Sequence, residues 1–246
     1  MERIQKLIAQ SGLCSRRKAE TLIEDGRVAL NGETVKTLGT KATHKDTITV
    51  DGTPIRYEEK EYFLFYKPEG SVSTTDDEKN RRTVLDFIDT QARIYPVGRL
   101  DYDTSGALLL TNDGDLTNAL THPKHHIEKA YQVTIKGLLR KDTSRKIARG
   151  VTIDGERTKR ARIHDVAYNT DKETTRLTFI VTEGKYHHVK RVFEAMGHPV
   201  LKLKRTRFAT LTLEGLKKGE YRRLTPHELK KLRILVEQRK NDSTRK

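Results

Sequence analysis

Five residues able to handle protons, phosphates or carbon electrophiles crowd one short polar stretch, Arg99, Asp101, Asp103, Thr104 and Ser105. The stretch runs directly into an apolar run, Ala107–Leu110, closed by Asn112-Asp113-Gly114. Four apolar residues between turn signals predict a short buried strand, and a loop carried by such a strand has its side chains held in place. A carboxylate held in this way is a candidate nucleophile or general base. The commoner duty of a loop Asp is to cap its own turn, and residue type alone leaves that reading open for Asp101 and Asp103.

Further along the chain lie groups that such a carboxylate could work with. Residues 128–135 alternate as a strand that puts Tyr131 on one face with Val133 and Ile135, where core packing is the ordinary role for a tyrosine. Glu183-Gly184-Lys185-Tyr186-His187-His188-Val189-Lys190-Arg191 reads as a loop entering a helix, with Val189, Val192, Phe193 and Met196 on one face and Gly197 ending it. Val200-Leu201-Lys202-Leu203-Lys204-Arg205 follows as a strand, so this region is strongly basic. A cation near a carboxylate keeps it ionised. Other chemistries fit less well. A glycosidase needs a second carboxylate, for which Asp103 is the one neighbour in sequence. Metal-dependent nucleases need acidic clusters, of which Asp113 and Asp115 are the nearest approach. His122, His125 and His126 lack acidic or thiol ligands at metal spacing, so no metal site is expected.

These groups must be positioned by a chain of 246 residues, enough for a small and a medium domain. Charged residues make up 34% and the formal net charge is +15, which favours a polyanionic partner through phosphate neutralisation. Cys14 is the single cysteine, so an intramolecular disulfide or a cysteine-built zinc site is excluded, and a cytoplasmic setting is expected. No apolar run reaches membrane-spanning length.

Residues 1–60 read as a module of their own. Ile4, Leu7, Ile8 and Leu13 follow helical spacing, with Ser11-Gly12 ending that helix, and Ser15 caps a second helix with Ala19, Leu22 and Ile23 inward. Asn31-Gly32 between Val28–Leu30 and Glu33–Val35 is a hairpin signal. Arg16, Arg17 and Lys18 open the second helix, where cations oppose the helix dipole; phosphate binding accounts for them better than helix stability does. A linker is expected near residues 57–61. The second domain begins with the apolar strand Tyr62–Tyr66 and the turn Lys67-Pro68-Glu69-Gly70. Residues 71–82 read as a mobile polar loop. A helix is expected from Thr225-Pro226, with Leu229, Leu232 and Val236 as its apolar stripe, and residues 237–246 as a frayed basic tail.

Five of these stretches carry a resemblance. Gly98-Arg99-Leu100-Asp101-x-x-Thr104-x-Gly106, with the Leu-Leu-Leu-Thr-Asn-Asp-Gly that ends at Gly114, resembles the catalytic loop of the bacterial rRNA pseudouridine synthases. Lys67-Pro68-x-Gly70, Lys129-x-Tyr131 and Glu183-Gly184-Lys185-x-x-x-Val189-Lys190-Arg191 match that family's other motifs, and residues 2–50 resemble its S4-like RNA-binding module. The resemblance implies that Asp101 is the catalytic carboxylate, that Tyr131 stacks on the target base, and that Lys190 pairs with Asp101, where many members have Arg. It implies that Arg99 fills the gap left by a flipped nucleotide or binds its phosphate, and that Leu203 packs beside the base. Arg16, Arg17, Lys18, Lys67, Lys129, Lys185, Arg191 and Arg205 are expected to contact RNA.

The expected architecture is therefore α+β. A small N-terminal α/β RNA-binding module (1–60) precedes a mixed, largely antiparallel sheet domain (61–236) split by a cleft containing Asp101, and a basic flexible tail (237–246) follows. The expected activity is isomerisation of one uridine in ribosomal RNA to pseudouridine without metal or cofactor, by a monomer. Motif detail favours large-subunit (23S) rRNA or a subunit precursor over small-subunit (16S) rRNA. The rival reading is a non-enzymatic RNA-binding or ribosome-assembly protein, which leaves Asp101, Tyr131 and Lys190 unexplained as a set.

Overall fold

A computed structural model describes the backbone of residues 1–244 and the side chains through residue 242. The chain forms two compact units, one of residues 1–61 with the short stretches 90–94 and 111–114, the other of residues 62–89, 95–110 and 115–246.

In the first unit, helices Ile4–Gln10 and Arg16–Glu24 pack on a four-stranded sheet built from Val28–Leu30, Glu33–Val35, Ile48–Val50 and Thr53–Pro54. Ile4, Leu7, Ile8, Ala19, Leu22, Ile23, Val28 and Ile48 form its core. Ser15 caps the second helix, its hydroxyl accepting from the Lys18 amide at 3.2 Å. Asn31 and Gly32 both take positive φ (52° and 90°), the backbone that a two-residue hairpin turn requires.

The second unit is organised by a nine-stranded sheet. Its main order is Arg162–Asn169, Thr174–Val181, Lys129–Lys136, Val200–Phe208, Ser105–Thr111, Tyr62–Lys67 and Tyr221–Arg223. The Lys129–Lys136 strand is antiparallel to both of its neighbours. Val200–Phe208 instead runs parallel to Ser105–Thr111, through two residue pairs, Lys204 with Ser105 and Arg205 with Gly106. This short parallel junction joins the two halves of the sheet. Gly106 permits it: its φ is +125°, and a Cβ there would stand 2.2 Å from the Arg205 carbonyl oxygen. Beneath the junction, Leu64, Ala107, Leu109, Leu120, Phe208, Leu211 and Leu232 form one apolar core.

Within the polar loop at 71–82, Ser71 and Ser73 are buried and Asp77 pairs with Arg81 at 2.6 Å. The expectation of a frayed tail from Glu237 is corrected: helix Pro226–Thr244 continues into it, carried past Val236 by the good helix formers Glu237, Gln238, Arg239 and Lys240. Arg245 and Lys246, the end of the expected tail, lie outside the described residues. No helix is long and apolar enough to cross a membrane among the described residues.

Candidate active site

The Asp101 loop leads into the fully buried strand Ser105–Thr111 and is gripped from beneath. Lys67, the last residue of its own strand, donates its ammonium to three main-chain oxygens, those of Pro68 (3.0 Å), Asp101 (3.0 Å) and Thr104 (2.9 Å). The Asp101 oxygen also accepts from the Thr104 amide, which closes the turn. Ser73 fastens the preceding residue twice, donating to the Leu100 oxygen at 2.9 Å and accepting from the Leu100 amide at 3.1 Å. The Gly70 amide donates to the Tyr102 oxygen. Main-chain polar groups near a carboxylate are thereby saturated, and the side chain of Asp101 is left to face a cavity.

Lys67 is one correction to the sequence reading. It was expected to contact RNA, yet it is completely buried and its donors are spent on this loop. Burial, only partly opposed by nearby carboxylates, brings its ammonium down to about 8.

The cavity measures about 550 Å³ and sits at the junction between the two halves of the sheet. Asp101, Arg99 and Thr104 line it from the loop, Lys129 and Tyr131 from one strand, and Leu203 and Arg205 from the next. Lys185, His187, His188 and Val189 close another side, and Arg157 and Lys159 reach it from the hairpin that follows the Lys141–Arg149 helix. Tyr131 and Leu203 are buried in its wall, whereas Arg99 is exposed. Lys129 is half-buried, and burial, with the nearby charge of Arg205, pushes its ammonium down to about 8.

Lys190 lies on the helix His188–Glu194, and its ammonium is 3.3 Å from Asp101 Oδ2 and 2.6 Å from Asp103 Oδ1. The sequence reading paired Lys190 with Asp101 and missed Asp103 as the closer partner. Burial raises the Asp103 carboxyl, but Lys190 outweighs it and holds Asp103 below the usual carboxylate range. Burial likewise lowers Lys190, and the two carboxylates more than compensate, so it stays charged. The other oxygen of Asp101 lies 3.6 Å from His187 Nε2, a neighbour that sequence reasoning passed over. His187 takes a left-handed backbone (φ 50°) at the start of this helix, and its ring stacks on Tyr186 at 3.8 Å.

Arg205, also expected to contact RNA, falls on the inward face of its alternating strand with Leu203 and lines the cavity. Its side chain is 2% exposed and its Nε donates to the Ala107 oxygen at 2.7 Å, so it is no surface contact for a phosphate. Lys185 and Arg191 remain at the surface, where they pair with Glu156 and Asp154. Arg16, Arg17 and Lys18 stand exposed on the first unit. The histidine group serves local structure: His122 accepts from the Lys124 amide, His125 bonds the Ala119 oxygen, and His126 meets Lys159.

A family model of RNA pseudouridylate synthases matches residues 61–195, which hold Asp101, Tyr131 and Lys190, and an S4 domain model matches residues 2–48. The chain belongs to the RNA pseudouridylate synthase family. Among relatives of this family, ribosomal large subunit pseudouridine synthase B of Bacillus subtilis is 48% identical over 242 residues, covering 98% of this chain and 99% of that one. Ribosomal small subunit pseudouridine synthase A of Escherichia coli is 37% identical over 233 residues, covering 92% and 98%. A crystal structure of a pseudouridylate synthase superposes with a TM-score of 0.67 at 35% identity, covering 94% of this chain and all of that one.

Proposed function

We propose that this chain converts a uridine of ribosomal RNA, in the large subunit, to pseudouridine in the cytoplasm. One observation carries this reading. Asp101 projects from a clamped loop into a cavity that also presents an aromatic ring, Tyr131, and an apolar side chain, Leu203, on adjacent strands. The cavity suits a single base taken out of its helix, and the basic residues around its mouth suit the phosphates flanking that base.

The reaction breaks the bond between C1′ of the ribose and N1 of uracil, turns the base, and joins C1′ to C5. Asp101 acts at the sugar, by attack on C1′ or by taking a sugar proton. In either route the base departs with the electron pair of the broken bond, and C5 later gives up its proton. Lys190 orients Asp101, Tyr131 holds the detached base against its ring, and Arg99 occupies the rim where the flipped nucleotide entered. Arg16, Arg17 and Lys18 supply phosphate contacts that carry no sequence information. The large-subunit substrate is favoured because the large-subunit relative is more similar over its whole length than the small-subunit one.

The test incubates the purified protein with unmodified transcripts of each ribosomal RNA, then maps pseudouridine by carbodiimide treatment and reverse-transcription stops. A single new stop in the large-subunit RNA is the expected result. A stop in the small-subunit RNA alone would reassign the substrate, and no stop in either would leave a non-enzymatic RNA-binding protein.

A further inference from the structure

Two residues that line the cavity each hold a buried polar atom with no hydrogen-bond partner among the described residues, Thr104 Oγ1 and Arg205 Nη2. A hydroxyl left unpaired is a modest cost, but a guanidinium is always charged and is expensive to bury alone. No carboxylate among the described residues stands within ion-pair distance of Arg205; its Nε is spent on the Ala107 oxygen and its carbon sits 4.9 Å from the centre of the Phe208 ring. The charge of Arg205 acts on both Lys129 and Lys67, and that of Asp101 also acts on Lys67. Positive charge is thus concentrated in the sheet wall near the Asp101 loop.

Strand register says what this charge meets. Arg205 is the direct cross-strand partner of Tyr131 and, on its other side, of Gly106, which has no side chain to cover it. Leu203 and Lys129 lie two residues away on the same face of their strands. A base lying against Tyr131 therefore brings one edge to Arg205.

We propose that Arg205 is a further catalytic residue, whose guanidinium donates to a carbonyl oxygen of the target uracil and takes up the negative charge the base acquires as the C1′–N1 bond breaks. The proposal rests on the reading of this cavity as the uridine site. The electron pair of the broken bond passes to the base and is delocalised onto its carbonyl oxygens, where a fixed donor in a dry site is most effective. The same donor serves before and after the base turns. A half-turn of uracil about its N3–C6 axis exchanges N1 with C5 and also exchanges the two carbonyls, so Arg205 meets an acceptor in both orientations. Cytosine carries an amine in one of those places and presents a donor to a donor.

The test uses rRNA transcribed with [5-³H]uridine and follows tritium release in single turnovers by the wild type, R205M and R205K, with filter binding to the same RNA. R205M is expected to release tritium about 100-fold more slowly at an RNA affinity within about threefold of wild type. R205K, which keeps the charge but loses the planar fork, falls between the two. A second substrate carries 5-fluorouridine, whose base leaves more readily, and the rearranged C-glycoside is read by mass spectrometry after nuclease digestion. With it the defect of either variant is expected to shrink to less than about tenfold. Equal slowing on both substrates would mark a structural role and overturn the proposal, as would an R205M rate within about threefold of wild type. If R205M fails to fold, the comparison of substrates by R205K decides in the same way. No tritium release by the wild type from any ribosomal RNA would overturn the reading of the site itself, and the proposal with it.

Discussion

The ammonium of Lys67 donates to the main-chain oxygen of Asp101 at 3.0 Å, and this contact fixes the candidate carboxylate from below rather than from beside its carboxyl group. Two further carbonyls complete the grip. Lys67→Met keeps the bulk of the side chain and removes the donors. The Pro68 and Asp101 oxygens still accept from the Ser71 hydroxyl and the Thr104 amide, while the Thr104 oxygen loses its Lys67 bond at a cost of about 1–3 kcal/mol for a buried unmet group. The expected result is a lower kcat, by about tenfold or more, with RNA affinity unchanged and urea midpoints reduced.

Lys67 and Lys129 both give up their protons near pH 8, against an ordinary value of 10.5. The folded chain loses these protons while the unfolded chain still holds them. Between about pH 8 and 10.5 unfolding therefore takes up protons, and the contribution of these two groups to stability rises with pH. Activity moves the other way, because neutral Lys67 has fewer donors for the Asp101 loop. A single-turnover pH profile is expected to fall above about pH 8 while urea unfolding over the same range shows no matching loss from these groups. A flat rate from pH 7 to 9.5 would contradict the assignment.

Lys190 is shared between Asp101 and Asp103, so the two carboxylates are not equivalent. Asp103→Ala leaves Lys190 free to move wholly to Asp101 and should cost less than about fivefold in rate. Lys190→Met, which strands both carboxylates, should cost about 100-fold or more, and Lys190→Arg should recover most of it. Steady-state kinetics on an rRNA transcript separates the three.

Gly106→Ala would force a Cβ into the Arg205 backbone at a φ that side chains avoid. Strain and overpacking together put the loss at about 3 kcal/mol or more. Equilibrium urea unfolding measures it, and a loss below about 1 kcal/mol would mean that the parallel junction is not tightly held.

Replacing Arg16, Arg17 and Lys18 together with alanine should weaken RNA binding at every sequence alike. It should lower the slope of log affinity against log salt by about 2–3, one counterion per lost phosphate contact. The single-turnover rate at saturating protein is expected to stay near wild type.

Much of this was legible in the sequence because several signals agreed at each point. Ser15, Asn31-Gly32 and the apolar run ahead of Asn112 each set a local geometry that no distant contact overrides. Asp101, Tyr131 and Lys190 stood in patterns long enough to be read as a group, and one cavity with Lys190 at its Asp101 side brings them together. What escaped the sequence depends on which side of a strand a residue takes and what then surrounds it. Lys67 and Arg205 were both expected to contact RNA, and both side chains turn inward, one because it ends a strand under the Asp101 loop, the other because it shares a face with Leu203. Ser73 sat in a polar run indistinguishable from solvent-facing loop, and only the fold brings it to Leu100. The pairing of Asp103 with Lys190 was not readable, because the two lie 87 positions apart in the chain.

The most direct measurement of the central claim replaces Asp101 with Asn, which keeps the size of the side chain and removes its charge. Ribosomal RNA from cells lacking this gene, rescued with wild type or with Asp101→Asn, is treated with carbodiimide and read by reverse transcription. The account predicts one stop that wild type restores and Asp101→Asn does not, with RNA binding by the purified variant intact. Equal restoration by both would contradict it, and the carboxylate doing the chemistry would have to be sought elsewhere.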